Sequence, residues 1–216
     1  MKLVYPLTIQ LDNTELMYSL RSVEKHLTSV DEVIVVGSEV SDWLTNVTQI
    51  CLSDVSGRKQ LSIRKKIIAA LNYTDEFLFM NDDVFFIKDT TDFPYYWHGL
   101  LKPYAESGAR PLEKKLMSIN KPAKLFDGHY PLIYDQRFKE ASEHFPSDCI
   151  IKSLYCNYFE IEGEFVPDCK LLRPMKKQEI YDFIQDKHCF STGMMSISSA
   201  VLVLQELFPS KSKYEV

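Results

Sequence analysis

Three short runs of consecutive apolar residues punctuate the first part of the chain, and amphipathic stretches separate them. KLVYPLTIQ (2–10), DEVIVVG (31–37) and FLFM (77–80) carry the longest apolar segments. Continuous runs of this length suit strands buried on both faces, as in a parallel sheet. Between the first two, in DNTELMYSLRSVEKHL, Leu16, Leu20, Val23 and Leu27 recur at helical spacing, and Asp12 or Asn13 can cap the start. After the second run, DWL reads as a short turn and VTQICL as a third strand. SGRKQLSIRKKIIAALNY is a loop entering a helix, with Ile63, Ile67, Ile68 and Leu71 on one face. FLFM is then the fourth strand, Asn81, Asp82 and Asp83 stand at its carboxyl end, and VFFI resumes as strand. Strand and helix alternate over about the first 90 residues, which predicts an α/β unit with a mostly parallel sheet. Ligands of such sheets bind beyond the carboxyl ends of the strands. Asp12, Asn13, Gly37 and the Asn81-Asp82-Asp83 triplet all fall at that edge.

Past residue 90 the alternation fades. FPYYWHG, KPYAESGARP and NKPAKLFDGHYPLIYD are rich in Pro, Gly and aromatics, and read as loops over the ligand edge, with 103–123 a lid or helical insertion. Helical pieces are expected at 134–144, 148–157, 176–186 and 197–207, and the tail PSKSKYEV reads as polar and exposed. With 216 residues, 45% of them hydrophobic, the chain is long enough for one domain. We divide it into an α/β half over 1–90 and an irregular, loop- and helix-rich half over 91–216. The net charge of −5 speaks against a nucleic-acid surface. The five cysteines are scattered and form no C-x-x-C pair, as expected of reduced thiols in a cytoplasmic protein. The first residues lack the pattern of a signal peptide, and no run approaches the ~18 apolar residues of a membrane span.

Two carboxylates inside FLFMNDDVFF (77–86) demand a partner, because burying like charges is costly. Paired aspartates at a strand end are a common way to hold Mg²⁺ or Mn²⁺, whose remaining ligands come from substrate phosphates. The plainer reading is a strand end and a capped turn. The basic cluster Arg58, Lys59, Arg64, Lys65 and Lys66 opens a helix, and a helix start with nearby cations suits phosphate. Most of those cations also fit a solvated helix face, with Lys65 or Lys66 exposed. Arg21 lies on the first helix beside Ser19 and Ser22, where a surface arginine would be ordinary. His129 sits in a Gly- and Pro-bounded aromatic loop with Asp127 beside it, a setting for a general acid or base. Asp148 and Lys152 are four apart, the spacing of an ordinary helical ion pair, and Asp168 in VPDCK is a further candidate. There is no G-x-G-x-x-G, Walker A or G-x-S-x-G motif, so the usual markers of nicotinamide redox, P-loop and α/β-hydrolase chemistry are missing.

Taken in order, NTELMYSLRSVEKH, DWL, FLFMNDDVFF and FDGHYPLIYDQRF resemble the Stealth family, which includes bacterial capsular-polysaccharide phosphotransferases. The likeness covers roughly residues 12–137, with a looser echo over 146–158, and the terminal KSKYE is shared with small phage-type or bacterial glycosyltransferase-like proteins. The resemblance implies a nucleotide-sugar donor, a UDP-sugar by preference, with Mg²⁺ or Mn²⁺ and transfer of hexose-1-phosphate to a hydroxyl of a glycan or similar acceptor. It implies a metal and catalytic centre at Asn81, Asp82 and Asp83, with Arg21 near the donor and His129 as catalytic acid or base. To the donor set we add Asn13, Arg58, Lys66, Asn81 and Lys152. The chain departs from the family in its shortened first region and in HFPSDCIIKS, where Lys152 would have to supply the charge of the family's arginine. The expected architecture is an α/β, GT-A-like (Rossmann-like) fold. Alternatives are a glycosyltransferase on the same fold, moving the sugar itself, and an inactive sugar- or nucleotide-binding module of a phage or cell-surface assembly.

Overall fold

The apolar runs pair side by side, and each becomes a strand covered on both faces. In the computed structural model, which describes residues 1–8, 13–39, 42–101, 123–126, 129–145 and 150–216, the chain opens with β1 (Lys2–Leu7), α1 (Thr14–His26), β2 (Glu32–Gly37), β3 (Thr48–Cys51), α2 (Lys59–Tyr73) and β4 (Glu76–Phe79). There follow β5 (Val84–Phe86), β6 (Tyr96–Trp97), β7 (Leu132–Asp135), α3 (Arg137–Glu143) and α4 (Ile151–Tyr158). β8 (Glu164–Phe165), α5 (Lys177–Ile184), β9 (Cys189–Ser191) and α6 (Ile197–Leu207) complete the order. The main sheet runs β3-β2-β1-β4-β7, parallel except for β7.

The alternation of side chains along each strand explains why the runs are apolar throughout. Leu3, Tyr5, Leu7, Val33, Val35 and Leu78 pack on one face with Leu16, Leu20 and Val23 of α1. Val4, Ile34, Val36, Phe77 and Phe79 point to the other, against Ile67, Ala70 and Leu71 of α2 and the aromatic group Tyr134, Phe138 and Tyr155. Burying each such side chain contributes about 1.5–3 kcal/mol relative to exposure. A third cluster joins Phe85 and Phe190, from the β5–β9 pair, to Ile180, Ile184, Ala200, Val203 and Leu204 of α5 and α6.

Two expectations change here. HYPLIYD was read as loop, yet Leu132–Asp135 is an antiparallel strand at the edge of the main sheet, in register with Glu76–Phe79. Its signal is only four residues long and sits among Pro, Gly and aromatic residues, which hide it. The tail was read as exposed, yet Tyr214 is buried in the α1-side cluster and Val216 donates its amide to the Trp43 carbonyl at 2.8 Å. The insertion at 103–123 lies, but for Ala123, outside the described residues, as do Asp12, Asp127 and Asp148. Cys51, Cys156, Cys169 and Cys189 are free thiols. Among the described residues no helix is long and apolar enough to cross a membrane.

Candidate active site

A cleft of about 780 Å³ opens at the carboxyl edge of the sheet. Its floor comes from the ends of β1 and β4, through Thr8, Asn81, Asp82 and Asp83, and one wall comes from the entrance to α2, through Asp54, Arg58, Lys59 and Lys66. The opposite wall is Glu15, Lys170, Gly193 and Met194. Lys66 is only 2% exposed, so the solvated-face alternative fails for it: it reaches inward from α2 and donates to the Leu7 carbonyl at 2.6 Å while pairing with Asp54 at 2.7 Å. Lys65, its neighbour, is the exposed one. A buried ammonium is tolerable only with such partners.

Gly37 makes this approach possible. Its φ is +139°, and a Cβ there would stand 1.9 Å from the Leu7 carbonyl oxygen and 3.1 Å from Lys66 Cε. Gly37→Ala is therefore expected to cost at least about 3 kcal/mol, combining left-handed strain with a backbone clash, or about 6–12 °C in a thermal melt. An unchanged melt would show that the β1 and β2 ends are not fixed as described.

Asp83 stands at the turn between β4 and β5, and long-range pairing brings its neighbours to it. β5 pairs with β9 through Val84 and Ser191, Thr192 donates its amide to the Asp83 carbonyl at 3.0 Å, and Lys170 bridges to Ser191. Lys170 Nζ thereby lies 3.5 Å from Asp83 Oδ2. The Gly193 Cα carries no side chain where a Cβ would come 3.1 Å from Lys170 Cε. Burial pushes the Asp83 carboxyl above the ordinary range, against the pull of Lys170, His129 and Lys152. Among the described residues, its Oδ1 is buried and has no hydrogen-bond partner. An orphaned carboxylate oxygen beside a second carboxylate suits a hard cation that completes its shell with phosphate oxygens.

A second cavity of about 290 Å³ continues past Asp83. It shares Lys59, Ile63, Asn81, Asp83 and Lys170 with the cleft, and adds Phe79, Leu125, His129 and Lys152. His129 Nδ1 lies 2.9 Å from Asp168 Oδ1, which also accepts the Lys170 amide at 3.0 Å. An ionised carboxylate only accepts, so the Nδ1 that faces it carries a proton, and the pair fixes the orientation of the ring. The His98 ring stacks at 6.0 Å from that of His129. His98, His129 and Asp168 bring ligand atoms within 4.8 Å of one another and form a second group that could hold a metal, richer in imidazole than the aspartate pair.

The structure thus brings Arg58, Lys66, Asn81, Asp82, Asp83, His129 and Lys152 to one continuous depression and leaves two expected residues outside it. Asn13 precedes α1, makes no side-chain cap and lines neither cavity. Arg21 is turned to the C-terminal segment: Nε and Nη2 donate to the two Glu215 carboxylate oxygens at 2.8 and 2.6 Å, and Nη1 to the Phe208 carbonyl at 3.2 Å. Burial raises the Glu215 carboxyl, but hydrogen bonds from Arg21 and Ser212 outweigh it and leave the group below its ordinary range. Arg21→Ala is expected to cost about 2–3 kcal/mol in urea unfolding at pH 7. A depressed acid stabilises above its unfolded pKa and loses that contribution as pH falls through the folded one. The penalty of the substitution should accordingly shrink on acidification through and below the ordinary glutamate range. A penalty independent of pH would assign it to lost packing alone.

No protein-family model matches the chain. It is 32% identical over 99 residues, 40% of its length, to N-acetylglucosamine-1-phosphotransferase subunits alpha/beta of Homo sapiens, and it spans 8% of the length of that curated relative. Among solved structures it is similar to the galactosyltransferase LgtC in complex with donor and acceptor sugar analogues, with a TM-score of 0.52 at 11% identity over 99% of this chain and 97% of that one. The fold is GT-A-like.

Within this GT-A-like frame, Lys170, Glu15, Asp54 and His98 join the site without having been singled out in the sequence. Lys170 is 87 residues from Asp83, and nothing in its neighbourhood marks it except Asp168 two positions earlier. That Asp-x-Lys spacing was the available signal.

Proposed function

We propose that this chain is a metal-dependent, Stealth-type transferase that moves hexose-1-phosphate from a UDP-sugar to a hydroxyl of a glycan or similar acceptor. The observation that carries the reading is the division of groups between the two cavities. Asp82 lines only the large cleft, His129 lines only the small cavity, and Asp83 and Lys170 line both. The named activity of the human relative supports phosphate transfer over other chemistries of the fold.

On this reading the donor lies in the large cleft, its phosphates against Arg58, Lys59 and the entrance to α2. The acceptor hydroxyl enters the small cavity beside His129, which Asp168 holds in orientation. His129 Nε2 takes the hydroxyl proton as the acceptor oxygen bonds to the sugar-bearing phosphorus. The bond from that phosphorus to the bridging oxygen breaks, and nucleoside monophosphate leaves. Lys170 stands where charge gathers on the phosphoryl oxygens. Asp82 and Asp83 would hold Mg²⁺ or Mn²⁺, which neutralises diphosphate charge when bound.

The likeness to LgtC favours a second reading, in which the bond from the anomeric carbon to phosphate oxygen breaks and nucleoside diphosphate leaves. The leaving nucleotide decides between them. The test incubates the chain with UDP-sugars, Mn²⁺ and mixed glycan acceptors, then separates the nucleotides by anion exchange. Acceptor-dependent UMP is expected. Acceptor-dependent UDP would transfer the assignment to glycosyl transfer. Neither nucleotide above the background of Asp83→Ala would leave a binding module.

A further inference from the structure

Two adjoining stretches of the C-terminal half leave apolar side chains in water beside a run of cations. The stretches are stitched together by the Ser191 amide donating to the Cys169 carbonyl at 3.0 Å, and by the Leu171 amide donating to the Ser191 carbonyl at 2.8 Å. Ser196 Oγ donates to the Leu171 carbonyl at 2.7 Å, and the Met175 amide to Ser199 Oγ at 3.3 Å. Leu172 is thereby held beside the turn that carries Met194 and Met195, and Leu202 follows Ser199 by about one turn of α6. Leu172 is 67% exposed, Met194 98%, Met195 69% and Leu202 61%. These are four of the nine large hydrophobic side chains exposed among the described residues, gathered on two neighbouring segments. Apolar residues exposed singly are ordinary, whereas a group of them marks an interaction surface.

Charge selects the partner. Residues 170–177 carry Lys170, Arg173, Lys176 and Lys177 and no carboxylate, and residues 189–205 carry no charge, in a chain whose net charge is −5. The carboxylates that bound the basic run are engaged: Asp168 with His129, and Glu179 with the Lys176 amide at 2.7 Å. Glu206, which closes the uncharged run, pairs with Lys177 and accepts from the Tyr181 hydroxyl at 2.7 Å. Glu15 and Asp83, which reach Thr192 and Lys170, face the large cleft. Arg173 and Lys176 are exposed. A protein partner gains most from anchors that fill formed pockets. A methionine as exposed as Met194 has no pocket wall around it, and a flexible thioether adapts to a fluid phase. Apolar side chains flanked by lysine and arginine suit the headgroup layer of an anionic bilayer.

We infer that this face docks on an anionic lipid bilayer, with Leu172, Met194, Met195 and Leu202 entering the interface and Arg173 and Lys176 meeting the headgroups. Met194 also lines the large cleft, so docking brings the mouth of that cleft to the lipid surface. The docking face stands independently of the transferase reading of the cleft.

The test is flotation of the full chain with vesicles of phosphatidylcholine alone and of phosphatidylcholine with about one third phosphatidylglycerol. Binding to the anionic vesicles is expected to be at least about tenfold tighter, the attraction of one or two cations near a charged surface. At about 1 M salt, where the screening length is about 3 Å, that ratio should fall to within about threefold. Met194→Ser with Met195→Ser should weaken binding to anionic vesicles at least about tenfold. Arg173→Gln with Lys176→Gln should bring the anionic-to-neutral ratio to within about threefold. All four positions are exposed, so both double variants should melt within about 2 °C of wild type, and lost binding then reports on the face and not on the fold. Absence of binding to either vesicle overturns the inference, as does equal binding to both, or anionic binding unchanged in either double variant. So does sedimentation velocity that finds a dimer dissolved by Met194→Ser with Met195→Ser, which would assign the face to a second copy of the chain.

Discussion

Asp83→Asn is expected to reduce turnover by about 10³-fold while raising the melting temperature. The loss of activity follows from the position of Asp83 between the two cavities, beside Lys170 and next to Asp82, where a metal and the transferred phosphate would meet. The gain in stability follows from the same burial. The folded carboxyl is held above its ordinary pKa chiefly by desolvation, with Lys170 opposing. For such an acid the protonated form is the better folded one. Its contribution is most favourable at low pH and is lost as pH climbs from the unfolded pKa to the folded one. Asparagine imitates the protonated form at every pH. The variant should therefore melt higher at pH 7, by about 2–4 °C for each kcal/mol relieved, and match the wild type in acid. Scanning calorimetry at several pH values, with turnover measured alongside, checks both halves. A variant that melts lower at pH 7 and still turns over would remove Asp83 from the centre of the site.

His129→Ala is the second large effect, with kcat expected to fall about 10²–10⁴-fold, the span of a lost general base. His129 lines only the small cavity, so KM for the donor should stay within about threefold of wild type while kcat carries the loss. Asp168→Asn keeps the ring and disturbs its tautomer, since an amide can donate to Nδ1 as well as accept from it. We expect an intermediate rate. An Asp168→Asn rate equal to that of wild type would show that Asp168 only braces the Lys170 amide. Full activity of His129→Ala would end the assignment of this histidine to proton transfer.

The strand–helix alternation was legible because continuous apolar runs have one physical reading when both faces are covered. Val33, Val35, Ile34 and Val36 go alternately to the two sides of the sheet, and no polar residue is tolerated on either. The position of Asp82 and Asp83 at the carboxyl edge followed from that alternation. What the sequence concealed is carried by distant pairings. Leu132–Asp135 is recognisable as strand only beside Glu76–Phe79, and Lys170 acquires a role only when β9 draws its segment against Asp83. Arg21 illustrates the converse. The family resemblance placed it near the donor, but an arginine takes the nearest well-placed carboxylate, and Glu215 supplies one from 194 positions away.

The Arg21–Glu215 pair also constrains when the molecule can finish folding. α1 packs early in sequence terms against β1 and β2, yet its guanidinium has no carboxylate until residue 215 has been synthesised. The same segment supplies Tyr214 to the α1-side cluster and a bridge between Leu44 and Glu215. Contacts of such long sequence separation close last and slow the approach to the native state. During translation at about 5–20 residues per second, the β1–α1–β2 unit therefore waits on the ribosome for about 10 s or more with one apolar face incompletely covered. That interval is when a chaperone would have something to hold.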